Sequence, residues 1–365
     1  MSNVTEQDLA HLTESIAQWG MEYDRTGEWP QRSVDLMAKL GAWRWNVPAE
    51  FGGEPVSHTE LLKRYAALAA GCMSTALIST QRDGAIELIA NSANDVPKNR
   101  WLAKCAAGEI YTTVGIAQLT TSKRGGGNLM KATADGDGYR LNGMMPWATG
   151  ALKAAIVVTG AVLDDGQQIL ACVPTDRVGL TVAPCDSLIT LNASQTSCVH
   201  CEDFRVEADE VLRGPAERVL AIRTPVKPLV TSSCGIGLTG QLVKMICDLP
   251  PASRESCADV VEPLVEQYQT IRTMLFDAAD RVNDPEFETP STGIRVRVND
   301  ILVRAAMVAL TLSKGSGFLM DRPIQRHVRE ALFFLVWSAP EVVQTGTLKR
   351  LMAPLGADTP LSLDF

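Results

Sequence analysis

Asp135-Gly-Asp-Gly-Tyr-Arg-Leu-Asn-Gly-Met-Met-Pro-Trp-Ala-Thr-Gly-Ala151 is the stretch whose reading decides the fold. The doubled Asp-Gly ahead of Tyr139-Arg-Leu-Asn-Gly143 is a hairpin signal, because Gly supplies the positive φ that tight hairpin turns require. Beyond it, Ala155–Gly160 and Gln168–Val173 read as strands flanking a turn at Asp164-Asp-Gly166. Val178–Ala183 and Gln195–Val199 continue the pattern. The β-branched, turn-punctuated character begins near Tyr111. Several short strands at regular spacing predict a small sandwich or barrel over 111–214.

On both sides of this region the apolar period becomes helical. Val34–Leu40 ends at Gly41, a suitable C-cap, and Thr59–Ala70 carries a stripe of Leu61, Leu62, Tyr65, Ala66 and Leu68. Arg100–Ala107 is closed by Gly108, and Val47–Gly53 is a turn-rich connector. After Pro225 four helices are predicted: Leu229–Cys247, Cys257–Val282, Thr292–Leu319 and Arg322–Trp337. Pro250-Pro251, Asp284-Pro285 and Gly315-Ser-Gly317 separate them, which suits a bundle of antiparallel helices. The expected class is α+β, with a helical domain over 1–110, a β-domain over 111–214 and a four-helix bundle over 215–365.

The net charge of −8 argues against nucleic acid, because phosphate binding needs a basic face. A phosphate-bearing cofactor would rely on local backbone amides and a few cations. The N-terminus lacks a basic segment followed by an apolar one, so no signal peptide is read. No stretch offers the roughly 18 uncharged apolar residues that a membrane span needs. Nine cysteines without framework spacing are expected to be reduced thiols, in a cytoplasmic protein.

Three segments carry a resemblance. They are Leu40–Gly53, Asp137–Gly143 with Trp147–Ala151, and Gly315-Ser-Gly-Phe318 with Pro323–Arg326 and Arg329-Glu330. In order and spacing they resemble the acyl-CoA dehydrogenase superfamily, from about Leu36 to about Arg350. The resemblance implies the α–β–α fold, FAD as cofactor, an acyl-CoA-type substrate, an electron-transfer flavoprotein as redox partner, and a homodimer or homotetramer. It also implies that Trp147 packs against the isoalloxazine, with Ala148 beside it and Thr149 near flavin N5. An indole offers a flat surface, and a hydroxyl can donate or accept as the ring changes redox state. Gln118 and Ser122 occupy the place of a flavin-edge motif, followed by Lys123 and Arg124 as candidate phosphate contacts. Gly315 and Gly317 belong to the implied cofactor-binding set.

The pattern breaks at the catalytic carboxylate. Family chemistry removes the α-proton of a thioester with a glutamate while hydride leaves the β-carbon. Ser338 falls on the usual glutamate position, and Lys227 or Pro228 on the alternative one. Glu341 is the neighbouring carboxylate, although a solvated helix position explains it better. The arginine that reaches the FAD pyrophosphate is displaced to Arg254, with Arg322 and Arg326 as substitutes. Cys198-Val-His-Cys201 has a redox or metal spacing but lies in an alternating strand, and no metal site is expected. The expected function is an FAD-dependent oxidoreductase acting on CH–CH bonds of an acyl thioester. A flavin-dependent monooxygenase of the same fold and a catalytically silent homologue are the alternatives.

Overall fold

Gln168–Pro174 (β5) is buried at every position and apolar after Gln168, and its neighbour Ala154–Val162 (β4) is nearly as buried. Such runs mark strands covered on both faces. The computed structural model describes residues 4–54, 56–120, 129–221 and 224–353. In it, Ile156, Val158, Leu170 and Cys172 face helices, among them residues Ile86, Ile89 and Leu102. Val157, Ala161, Ile169, Ala171 and Val173 face the opposite way, onto Leu141, Val199 and Phe204 of other strands. The alternation of strand side chains produces both contacts from one sequence.

Among the described residues eight strands form one mixed sheet: Tyr111–Gly115 (β1), Met130–Asp135 (β2), Gly138–Ala148 (β3), β4, β5, Leu180–Val182 (β6), Ser197–Val206 (β7) and Val211–Ala216 (β8). Their order is β6-β7-β3-β2-β4-β5-β8, with β1 added parallel to β4. The deciding stretch folds as a hairpin, Met130 pairing with Gly143 and Asp135 with Gly138. Because β3 and β7 pack over β4 and β5, the sheet closes on its own apolar face in the manner of a sandwich.

Ahead of the sheet come Glu6–Thr26 (α1), Gln31–Lys39 (α2), His58–Gly71 (α3), Met73–Ala90 (α4) and Asp95–Ala107 (α5). After it come Lys227–Cys247 (α6), Pro251–Glu255 (α7), Ala258–Arg281 (α8), Ser291–Leu312 (α9), Pro323–Phe333 (α10) and Glu341–Leu351 (α11). The two helical groups share one core in which Leu62, Leu68 and Met73 meet Leu229, Leu238 and Leu302. Gly237 lets α6 approach α3 so closely that a methyl group there would overlap the Ala66 carbonyl oxygen.

Several boundaries differ from the sequence expectation. The third bundle helix stops at Leu312 instead of Leu319, since Lys314 enters a left-handed conformation and a short 3₁₀ turn follows. The fourth stops at Phe333, not Trp337, and α11 adds a further helix. α1, which the sequence reading passed over, buries a stripe of Leu12, Ile16, Gly20 and Tyr23, whereas α4 is buried almost all round, so its pattern has no polar face. α6 has the length and hydropathy of a membrane-crossing helix, contrary to the sequence reading. Most of its apolar surface is spent on α3, α8 and α9.

Candidate active site

β3 ends by presenting successive side chains differently. Trp147 is 52% exposed, whereas Ala148 and Thr149 are buried. The chain then turns at Gly150, whose φ of 62° is left-handed, and a Cβ there would press on the Trp29 and Tyr111 rings. Gly150 N donates to Ser194 O at 2.9 Å, which ties this turn to the 191–196 loop. In that loop Leu191 and Gln195 are both left-handed, costly conformations for residues with side chains. The strained loop delivers a hydroxyl chain: Thr149 Oγ1 lies 3.3 Å from Thr196 Oγ1, which lies 2.9 Å from Ser194 Oγ. Tyr111 OH is shared between the carbonyls of Thr149 and Ile78, fixing the end of β3 against α4. Trp147, Ala148 and Thr149 are thus held on one rigid surface.

Gln118 is turned inward. Its Nε2 donates to Gly115 O, Thr159 Oγ1 and Gly160 O at 2.8–2.9 Å, locking the short turn after β1 onto β4. Ser122, Lys123 and Arg124 lie outside the described residues, as does the side chain of Arg254. Gly315 sits in an exposed turn with open space around it, and Gly317 packs on Leu310 and Ser313 at the end of α9.

Arg326, weighed as a phosphate contact, is 2% exposed. Its guanidinium fills the space left by Gly20 and donates to Gly71 O at 3.2 Å, beside Glu330 at 3.6 Å. It is a core residue, out of reach of a cofactor phosphate; Arg322 is exposed. His327 Nδ1 stands 2.9 Å from Glu330. Burial, helped by Arg326, holds the imidazole below its usual range. Burial pulls the Glu330 carboxyl upward, but Arg326 and His327 outweigh it and keep it low.

Ser338 is exposed, with a left-handed φ of 46°, in the connection between α10 and α11. Glu341 is the exposed first residue of α11. Nearby, Arg295 Nη2 donates to the carbonyls of Phe334 and Trp337 at 3.1 and 3.0 Å. Burial lowers this guanidinium to about 9. It serves as a buried cap on the carbonyl end of α10.

Sequence reasoning missed a second charged group. Within the apolar run of α4, Asp83 accepts from Tyr65 OH and from Arg82 Nη1, both at 2.6 Å. Burial pushes the Asp83 carboxyl up despite Arg82. One turn on, Glu87 accepts from Thr224 N and Oγ1 at 2.8 and 2.9 Å and pairs with Lys227 Nζ at 3.3 Å. The available signal was acidic residues inside an otherwise apolar helix, which demand partners. For Glu87 those partners lie more than a hundred residues away. Cys198 and Cys201, three apart on β7, point to opposite faces, and Cys201 is buried.

Residues 9–109 match the family described as "Acyl-CoA dehydrogenase, N-terminal domain". The chain is 23% identical over 356 residues to a probable acyl-CoA dehydrogenase, YngJ, of Bacillus subtilis, covering 92% of this chain and 93% of that one. It is 23% identical over 344 residues to the mitochondrial short-chain specific acyl-CoA dehydrogenase of Bos taurus, covering 88% and 82%. The structure of butyryl-CoA dehydrogenase from Megasphaera elsdenii superposes with a TM-score of 0.81 at 18% identity, covering 96% and 99%. Residues 9–109 thus match the acyl-CoA dehydrogenase family, and the chain as a whole is similar to acyl-CoA dehydrogenases in sequence over most of its length and in its α–β–α architecture.

Proposed function

We propose that the protein is an FAD-dependent oxidoreductase acting on the CH–CH bond of an acyl thioester. The observation that carries this reading is the half-exposed Trp147 beside the buried Thr149–Thr196–Ser194 hydroxyl chain. A large indole left open to solvent at the end of β3, beside buried Ala148 and Thr149, is a surface awaiting a planar partner. FAD is the cofactor that the family implies, and these residues fit its ring. When bound, FAD supplies the two-electron acceptor. Trp147 orients the ring and keeps water from one side of it. The Thr149 hydroxyl donates or accepts as needed, because Thr196 and Ser194 reverse their own hydroxyls in step. Tyr111 and Gly150 hold this assembly in place, so little reorganisation is required.

Ser338 and Lys227, at the two positions where the family places its glutamate, favour a second reading: a homologue that binds FAD and a thioester without turnover. One experiment separates the two. Purified protein is loaded with FAD and titrated anaerobically with butyryl-, isovaleryl-, glutaryl- and adipyl-CoA while the visible spectrum is followed. Bleaching by any thioester supports the oxidoreductase. Spectral perturbation without bleaching supports the silent homologue. Failure to bind FAD at micromolar concentration overturns both.

Exposed Met307, Phe318, Leu319, Met320 and Val336, on α9, α10 and their flanking turns, support a homodimer or homotetramer built on this surface. An electron-transfer flavoprotein as redox partner and a cytoplasmic location complete the reading.

A further inference from the structure

The charged pair between α4 and α6 is asymmetric. Glu87 is anchored from behind by Thr224 N and Oγ1, and its side chain is 6% exposed. Lys227, 3.3 Å in front of it, is 25% exposed. An ammonium carries three N–H donors, and a single carboxylate oxygen at this distance leaves donor capacity for a ligand. The helix turn opposite lets the ammonium settle close against α4. Gly84 has no side chain, and a Cβ there would lie 3.1 Å from Lys227 Nζ and 3.7 Å from Val114 Cγ1.

The pair also adjoins the candidate flavin surface. Val114 belongs to β1, the strand whose Tyr111 hydroxyl is bonded to the Thr149 carbonyl. Gly115, next along that strand, packs on Met145, two residues before Trp147. Lys227 therefore lies against the helix-facing side of β1, the strand that also carries Tyr111. Its position in the first turn of a helix is electrostatically unfavourable for a cation. Glu87 offsets that cost, and the arrangement presents an oriented ammonium where an unsubstituted alkyl chain would find nothing to bond.

We propose that Lys227, positioned by Glu87 and Thr224, determines specificity by binding a second carboxylate carried on the acyl group of the thioester. The inference rests on the acyl-thioester reading given above. A carboxylate would complete the donor set of Lys227 with a charge-assisted hydrogen bond. An alkyl chain of equal length would instead strip water from the ammonium without replacing it.

The test uses the FAD-loaded protein under anaerobic conditions and three matched ligand pairs: butyryl- and succinyl-CoA, valeryl- and glutaryl-CoA, hexanoyl- and adipyl-CoA. Dissociation constants are read from the perturbation of the flavin spectrum. In at least one pair the carboxylate-bearing member is expected to bind roughly tenfold or more tightly, the usual worth of a hydrogen bond to a charged group. Lys227→Met should bring that pair to parity, Lys227→Arg should keep part of the preference, and Glu87→Gln should reduce it by loosening Lys227. FAD affinity of each variant serves as the control for folding. Equal binding within all three pairs by the native protein overturns the inference and leaves the acyl-thioester reading standing. A preference that survives Lys227→Met also overturns it. If no thioester perturbs the bound flavin, the acyl-thioester reading fails, and this inference with it.

Discussion

Trp147→Ala isolates the ring-binding surface from the fold. The indole is 52% exposed, so truncation removes little from the core, and the denaturant midpoint is expected to stay nearly unchanged. The effect should appear in cofactor affinity. An aromatic side chain of its class presents roughly 200 Å². About half of that, ~100 Å², is available to a bound ring, and at ~25 cal/mol per Å² its burial is worth about 2.5 kcal/mol. The FAD dissociation constant should therefore rise by a factor of about 70. Trp147→Phe, which retains a smaller flat surface, should fall between native and Ala. The assay is quenching of FAD fluorescence on titration with protein, alongside circular dichroism to confirm the fold. A dissociation constant within threefold of native, in a variant with native dichroism, would refute the assignment of Trp147 to the flavin surface.

Other outcomes follow from particular contacts. Gly237→Ala drives a methyl group into the Ala66 carbonyl oxygen and should destabilise the α3–α6 contact by about 3 kcal/mol or more, read by urea unfolding; a loss under about 0.5 kcal/mol contradicts the close approach. His327 is held below its usual range, so the unfolded chain takes up a proton below about pH 6.5 while the folded chain does not. Stability should decline as pH falls from about 6.5, with a further loss below about pH 4.5 as Glu330 is protonated; His327→Gln should flatten the first decline, and unchanged pH dependence would count against it. Ser338→Glu should accelerate flavin reduction by butyryl-CoA by roughly 10-fold or more if the pocket fits that thioester, whereas loss of native reduction in Glu341→Gln would move the proton acceptor to Glu341. Light scattering should return a multiple of 39.4 kDa, and Phe318→Asp with Val336→Asp should lower it.

The order of helices, sheet and helices was legible because each element carries its own period. β4 and β5 alternate between two apolar faces, and Gly41 and Gly108 end helices in left-handed turns where only Gly is unstrained. Trp147, Ala148 and Thr149 could be named together for the same local reason, since they are consecutive where β3 runs into the turn at Gly150. The role of Gln118 was not, because its amide is committed to three acceptors on β1 and β4 that only pairing of those strands assembles. Sequence offers Arg326 as a substitute pyrophosphate contact, but Gly20, about three hundred residues earlier, makes room for it in the core. The Glu87–Lys227 pair shows the limit most plainly. Composition lets a buried carboxylate on α4 be suspected, but the ammonium that meets it comes from α6, 140 residues on. Charge neutralisation acts across space, and only tertiary packing determines which charges meet.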